Sequence, residues 1–353
     1  MPVLSDAVWS EQGTTPDAIE AALRELLARC HAENEGLAPA RVLNMVALVD
    51  REWSGEIANR LRGVGRYHAS RLLVLSYDPD QARLDARASV AAEGEPGPGE
   101  LSLLRETVVV EIGRRHLGDL LTIVDPLVVT DLPTLLWSPH GHPDLLDRLL
   151  ALAQAVLVDS VEGPWHEAIE RALELSRRAY VVDLAWLRST PWRERIAASF
   201  DSREMRPELG QITGVSVRHH PDSTVAALLS IGWLASRLHW EPSPLLAHGP
   251  ELRGAARADV QEIEIRLCPA PEQQVRGLAG LTLRTASGRE IQLDRAPGGL
   301  RARRRSGDGH EHEWTVLGAS RGEAGILGEG IRQALLRDPT YLPALRAAQG
   351  MLP

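Results

Sequence analysis

His140 and His142, one residue apart and followed by Asp144 in the run SPHGHPD, are by type the side chains best suited to hold a metal ion. A zinc site needs further ligands at a diagnostic spacing, such as H-E-x-x-H or C-x-x-C, and none follows here. The Pro and Gly of the run make a turn in which both histidines are expected to be solvated. Asp308, His310 and His312 in DGHEHE have a similar look, but Asp-Gly between two strands is a hairpin turn signal. Gly325, Gly328 and Gly330 open a helix after a strand, where backbone N–H groups can cradle a phosphate. Their spacing misses G-x-G-x-x-G, and Glu323 and Glu329 would repel an anion. No G-x-S-x-G elbow is present. The expectation is a chain with no metal, no cofactor and no catalytic residue of its own.

The 353 residues contain no lysine, so every fixed side-chain cation is an arginine. A Walker A loop and a Schiff-base amine both require lysine and are excluded. The formal charge of −9 argues against nonspecific binding to nucleic acid or to an anionic membrane. Two cysteines cannot form a disulfide framework. Cys30 falls on the apolar stripe of Ile19, Leu23, Leu26 and Leu27 and reads as core. The N-terminus lacks the basic and apolar regions of a signal peptide. The most apolar segment, 225–235, is shorter than the roughly 20 residues a bilayer requires. A cytoplasmic protein is expected.

Tryptophan is over-used: nine Trp against one Phe. The densest segment joins Asp183, Trp186, Arg188, Trp192 and Arg193. Trp and Arg dominate protein–protein hot spots. They are equally suited to an internal anchor with a guanidinium stacked on the indole, and the sequence leaves both open, with the internal reading favoured. Arg301, Arg303, Arg304 and Arg305 form the most basic patch, fit either for an acidic or phosphorylated group or for the solvated face of an edge strand.

The elements that must carry these residues fall into two groups. The first half alternates helices near 16–30, 51–62, 114–123, 143–153 and from about 164 with strands near 41–50, 71–77, 83–91, 106–112, 131–137 and 155–159. The strand at 83–91 alternates apolar and polar residues and is expected to lie antiparallel to its neighbour. The second half places helices near 191–199 and 222–239 around a strand near 212–218. A meander follows at 259–267, 276–285, 289–294, 299–305 and 312–317, and two helices close the chain. The fold class is therefore α/β: a helix-flanked mixed sheet over about 1–170, then an α+β domain with an antiparallel meander over about 171–353. No internal repeat stands out.

Four segments in order resemble the OpcA family, the glucose-6-phosphate dehydrogenase assembly proteins. His68, Ser70 and Arg71 lead into the apolar LLVL, with Ala69 where the family has proline. Arg83 and Asp85 open the exposed strand. Asp131 and Pro133 run on to Trp137, with Ser138 in place of a second Trp. Asp183, Trp186, Arg188, Trp192 and Arg193 are followed by Trp233 and Arg237. The resemblance covers roughly 41–240. It implies a non-catalytic factor that binds glucose-6-phosphate dehydrogenase, with these residues as candidates for the contact, and promotes its oligomerisation or activity in the oxidative pentose phosphate pathway. The alternative is an enzyme or sensor that holds a phosphosugar through arginines such as Arg71, Arg83 and Arg188.

Overall fold

In the computed structural model, residues 7–33, 37–39, 41–64, 70–92, 102–161, 163–317 and 322–353 are described. His68 lies outside them. The chain divides into two compact units, Met1–Val158 with Arg178–Val182 and Leu327–Leu336, and Asp159–Arg177 with Asp183–Ile326 and Arg337–Pro353.

The first unit begins with strand β1 (Ala7–Glu11), helix α1 (Pro16–Glu33), β2 (Leu37–Pro39), β3 (Leu43–Asp50), α2 (Ser54–Val64), β4 (Ser70–Tyr77), β5 (Asp85–Ala92) and β6 (Ser102–Ile112). It continues through α3 (Leu120–Val124), β7 (Thr134–Trp137), α4 (Pro143–Leu149) and β8 (Ala155–Val158). After α5 (Trp165–Ser176) comes β9 (Tyr180–Asp183), the last strand of its sheet. The strand order is β1-β5-β6-β4-β3-β7-β8-β9, with β2 also on β6. β6, β4, β3, β7 and β8 pair parallel, whereas β5 runs antiparallel between β1 and β6. Parallel strands covered on both faces must be apolar throughout. β3 is buried at every residue but its last, and β4 is buried from Arg71 to Ser76.

β3, β4, β6, β7, β8 and β9, counted in chain order, lie in the spatial order 3-2-1-4-5-6. That is the doubly wound dinucleotide-fold order, whose direction reverses between the first and fourth strands, here β3 and β7. Asn44 secures this reversal from inside. Its amide donates to the carbonyls of Val129 and Leu132 and to Thr134 Oγ1, and its oxygen accepts from Val129 N–H. A buried Asn is tolerated because its polar atoms are bonded.

The second unit contains α5, α6 (Leu184–Arg188), α7 (Thr190–Ser199), β10 (Ile212–His219) and α8 (Thr224–Leu238). The strands β11 (Glu241–Pro242), β12 (Leu246–His248), β13 (Glu251–Ala258), β14 (Gln261–Pro269), β15 (Leu278–Thr285), β16 (Glu290–Ala296), β17 (Gly299–Arg305) and β18 (Glu311–Leu317) follow. In chain order α9 (Gly322–Leu336), of which Leu327–Leu336 belongs to the first unit, and α10 (Tyr341–Gln349) come last. Its sheet has the order β11-β13-β14-β10-β15-β16-β17-β18, antiparallel except where β10 meets β14. The expected meander is present from β15 onward; β10 lies between β14 and β15, and β13 is not among the expected strands because ELRGAARA carries few strand-forming side chains. The helix expected at 114–123 is a 3-10 turn, Arg114–Asp119, followed by the short α3.

The core of the second unit lies between the sheet and α8. This helix is buried along nearly its whole length and packs against α10. Gly232 sets the approach of the two helices. A Cβ there would fall 2.2 Å from the carbonyl oxygen of Ala344, so no larger residue fits without moving α10.

Candidate functional site

In open α/β sheets, ligands bind outside the carboxyl ends of the strands where the strand order reverses. In the first unit that place is defined by the ends of β3 and β7. A dinucleotide site would need a glycine-rich turn after β3, opening a helix toward the pyrophosphate. The chain instead places Asp50, Arg51, Glu52 and Trp53 there. His142, from the turn after β7, lies with Nε2 3.0 Å from Asp50 Oδ1, and its ring meets Tyr77 edge-on at 5.6 Å. His140 packs at 5.9 Å on Trp53, and burial of its ring lowers its pKa. Arg51 reaches Asp78 at 2.9 Å and Glu111 at 3.5 Å.

These contacts correct the expectation that His140 and His142 are solvated: both rings are half-buried against aromatic neighbours. Among the described residues, no group of three or more His, Cys, Asp or Glu side chains is placed to hold a metal ion. His310 and His312 flank the β17–β18 turn, where His312 stacks on Trp314 at 5.3 Å. Asp50, Trp53 and Tyr77 have no motif of their own. Only the strand order, which the sequence does not display, brings them together.

The second candidate site is the Trp/Arg segment, which folds inward. Asp183 caps α6 by accepting from Ala185 N–H, and also accepts from Ser160 N–H and the Tyr341 hydroxyl. Burial, followed by the nearby Asp159 carboxylate, pushes its pKa up to about 6. Trp186 is 2% exposed, and its indole N–H donates to Asp338 at 2.8 Å. The Arg193 guanidinium lies 3.3 Å from the centre of the Trp186 ring and donates to the Trp186 carbonyl, Ser189 Oγ and Thr190 Oγ1. Burial draws its pKa down to about 9, opposed by Asp338, so it stays charged at neutral pH. Trp192 is buried as well. The internal-anchor reading describes this segment.

Arg188 lies at the edge of that core and makes paired bonds to both oxygens of Asp159 and of Glu323. Burial opposes its charge, but the bonds to Glu323 and Asp159 prevail and raise its pKa. A cavity of about 290 Å³ opens beside it, lined by Asp159, Ala185, Arg188, Ala226, Arg276 and Glu323 among others.

The remaining resemblance residues are spread between core and surface. Arg71 is buried, bonded to Glu106, Glu20 and the Leu127 carbonyl, which removes it from service as a phosphosugar ligand. Trp137 is buried at the end of β7. Ser70, Pro133 and Trp233 are half-buried, and Arg83, Asp131 and Arg237 are exposed. Asp85, half-buried at the start of β5, accepts from Gly13 N–H and Gln81, and the Gly13 bond leads in holding its pKa low. The Ala69 departure falls outside the described residues.

The strand order and the site together define a two-unit α/β protein of dinucleotide-fold topology whose switch point carries carboxylates, histidines and aromatic rings. Residues 62–178 match the glucose-6-phosphate dehydrogenase subunit N-terminal domain of OpcA, and residues 179–345 match the corresponding C-terminal domain. The chain belongs to the OpcA family of glucose-6-phosphate dehydrogenase assembly proteins.

Relatives described as OxPP cycle protein OpcA include one from Synechocystis sp., 33% identical over 125 residues, covering 34% of this chain and 26% of the relative. Another, from Nostoc punctiforme, is 35% identical over 125 residues, covering 34% and 27%. The matched stretch thus spans about a quarter of each relative's length. Among solved structures, an oxidoreductase from Sinorhizobium meliloti aligns over 88% of this chain and 95% of its own, with 11% identity and a TM-score of 0.45. The WlbA dehydrogenase from Thermus thermophilus aligns over 88% and 96%, with 16% identity and a TM-score of 0.43. No described helix is long and apolar enough to cross a membrane.

Proposed function

We propose that this chain is a non-catalytic partner of glucose-6-phosphate dehydrogenase, which binds the enzyme and favours its active or assembled state. The observation that carries this reading is the switch point. The strand order is that of a dinucleotide-binding sheet, yet Asp50 and Glu52 stand where a pyrophosphate would need glycine N–H groups. The absence of lysine supports the same reading, since no lysine can serve a substrate phosphate or a Schiff base. A binding protein acts by preferring one state of its partner and shifting the population toward it.

Within this reading the family-motif residues divide by depth. Asp183, Trp186, Trp192 and Arg193 shape the surface from beneath, and exposed Arg83, Asp131 and Arg237 are candidates for direct contact. The test is a titration of the chain into glucose-6-phosphate dehydrogenase from the same cell, following NADP reduction together with the mass of the complex. A saturable rise in rate with a co-migrating complex is the expected result. Neither a complex nor a change in rate at micromolar concentration overturns the proposal.

A further inference from the structure

The cavity of about 290 Å³ beside Arg188 lies wholly within the second unit and takes no part in the function proposed above. Its walls come from the segment after β8, helix α6, the first turns of α8 and α9, and the loop that leads into β15. Ala185, Ala226 and Val275 make part of these walls apolar, and the charged groups on them fall into two sets.

The first set is braced. Arg188 donates to both oxygens of Asp159 and to both of Glu323, which fixes two carboxylates about one guanidinium. Each carboxylate oxygen keeps acceptor capacity beyond the bond it takes from Arg188. A hydroxyl-bearing ligand can donate to these oxygens without moving a side chain, whereas an anion would find Arg188 already engaged.

The second set is cationic and poorly compensated. Arg276 lines the cavity, and its contact with Asp222, at 3.6 Å, joins two side chains that are each more than half exposed, where an ion pair holds weakly. Arg295, on β16, gives its Nε and Nη2 to one acceptor, the Leu278 carbonyl, and among the described residues no carboxylate pairs with it. Burial lowers its pKa with no acidic neighbour to oppose the shift. A part-buried cation without a counter-charge is costly. Arg295 Nη2 lies 3.3 Å from the position a Cβ would take on Gly277, and Gly277 itself lines the cavity. This glycine has a φ of 109°, and its backbone is tied on both sides, its N–H to Ser223 Oγ and its carbonyl to His220 N–H. Two guanidinium groups therefore flank a fixed stretch of wall. The arginine run of β17 offers no such charge: Arg301 and Arg303 share Glu313, and Arg305 lies 3.7 Å from Glu290.

We propose that this cavity binds a sugar phosphate, with the phosphate at Gly277 held by Arg276 and the charge of Arg295, and the sugar hydroxyls on Asp159 and Glu323. A phosphate dianion answers two arginines, which suit it in both charge and geometry. The apolar walls meet the C–H faces of the sugar, and the volume, at the low end for small-molecule sites, suits a single ring. The sequence expectation for Arg188 is thereby revised: it positions the two carboxylates and does not meet the phosphate.

The test uses the full chain without dehydrogenase, so its failure leaves the function proposed above standing. Glucose 6-phosphate and ribose 5-phosphate are titrated into the chain by calorimetry, with inorganic phosphate and glucose as controls. At least one sugar phosphate should bind saturably, about tenfold or more tighter than either control. Arg276→Ala, at an exposed position, should weaken that binding about tenfold or more with the melting temperature unchanged. Glu323→Ala should weaken the sugar phosphate but not inorganic phosphate. No saturable binding of either sugar phosphate at millimolar concentration overturns the proposal, as does binding that survives Arg276→Ala. Inorganic phosphate bound as tightly as the sugar phosphates would show an adventitious ion only and overturns it too. Phosphate held more tightly by Glu323→Ala would place the anion on Arg188 and overturn the assignment.

Discussion

Trp186 shows that residue type alone leaves place open. A segment rich in Trp and Arg has the composition of an interface, but Arg193 stacks on Trp186 and Asp338 takes the indole N–H inside the second unit. Trp186→Ala should cost about 3–5 kcal/mol of stability, read as a lowered urea midpoint. An unchanged midpoint with weakened dehydrogenase binding would make it a contact residue instead. Asp183 gives a pH signature. Its carboxyl titrates near 6 in the folded chain against 3.8 in the reference. Between those values the folded state holds a proton that the unfolded chain has released, so stability falls as pH rises through the window. Above it the buried charge costs about 3 kcal/mol. Asp183→Asn keeps an oxygen to accept from Ser160 and Ala185 but cannot ionise. The stability difference between variant and wild type should therefore move in the variant's favour, by up to that amount, from about pH 4 to about pH 7. Parallel pH profiles would show that Asp183 is not the titrating group.

Among the elements, Gly232 is the sharpest case. It lies in the sequence run that resembles the family, but its role is visible only where α8 meets the backbone of α10. Gly232→Ala drives a methyl group into the Ala344 carbonyl and should cost about 1–3 kcal/mol by overpacking, although alanine is the better helix former. A variant as stable as wild type, measured by thermal melting, would mean that α10 moves freely. Much of the fold was legible at this scale. β3, β4, α5, α8 and the meander from β15 announce themselves through apolar runs or periodicity. The strand order does not, because it depends on pairings between distant segments. Asn44 and Glu106, polar residues inside strands, were faint signals of it: one secures the reversal between β3 and β7, and the other anchors Arg71.

At the scale of the whole molecule, the proposed function departs from what this fold most often does. A sheet ordered 3-2-1-4-5-6 is the commonest frame for nicotinamide dinucleotides, and fold analogy alone would assign an oxidoreductase. The site argues otherwise on electrostatic and steric grounds. A pyrophosphate at the β3 end would meet Asp50, whose carboxylate is held beside His142, and Glu52 two residues on, with Trp53 and Tyr77 carrying the rings that pack against His140 and His142. NADPH and NADP at millimolar concentration should leave the melting temperature within experimental scatter and produce no saturable change in nicotinamide fluorescence. A bound dinucleotide even a hundredfold above its dissociation constant would add about 2.7 kcal/mol, which a melt could not miss. Asp50→Asn should not create a site either. It removes one repulsive charge but supplies neither the glycine turn nor the N–H groups that face a pyrophosphate. Saturable binding by wild type, abolished when His142 is replaced by a bulky residue, would put a nucleotide at this switch point. The chain would then be read as a cofactor-sensing protein, not as a partner that acts by contact alone.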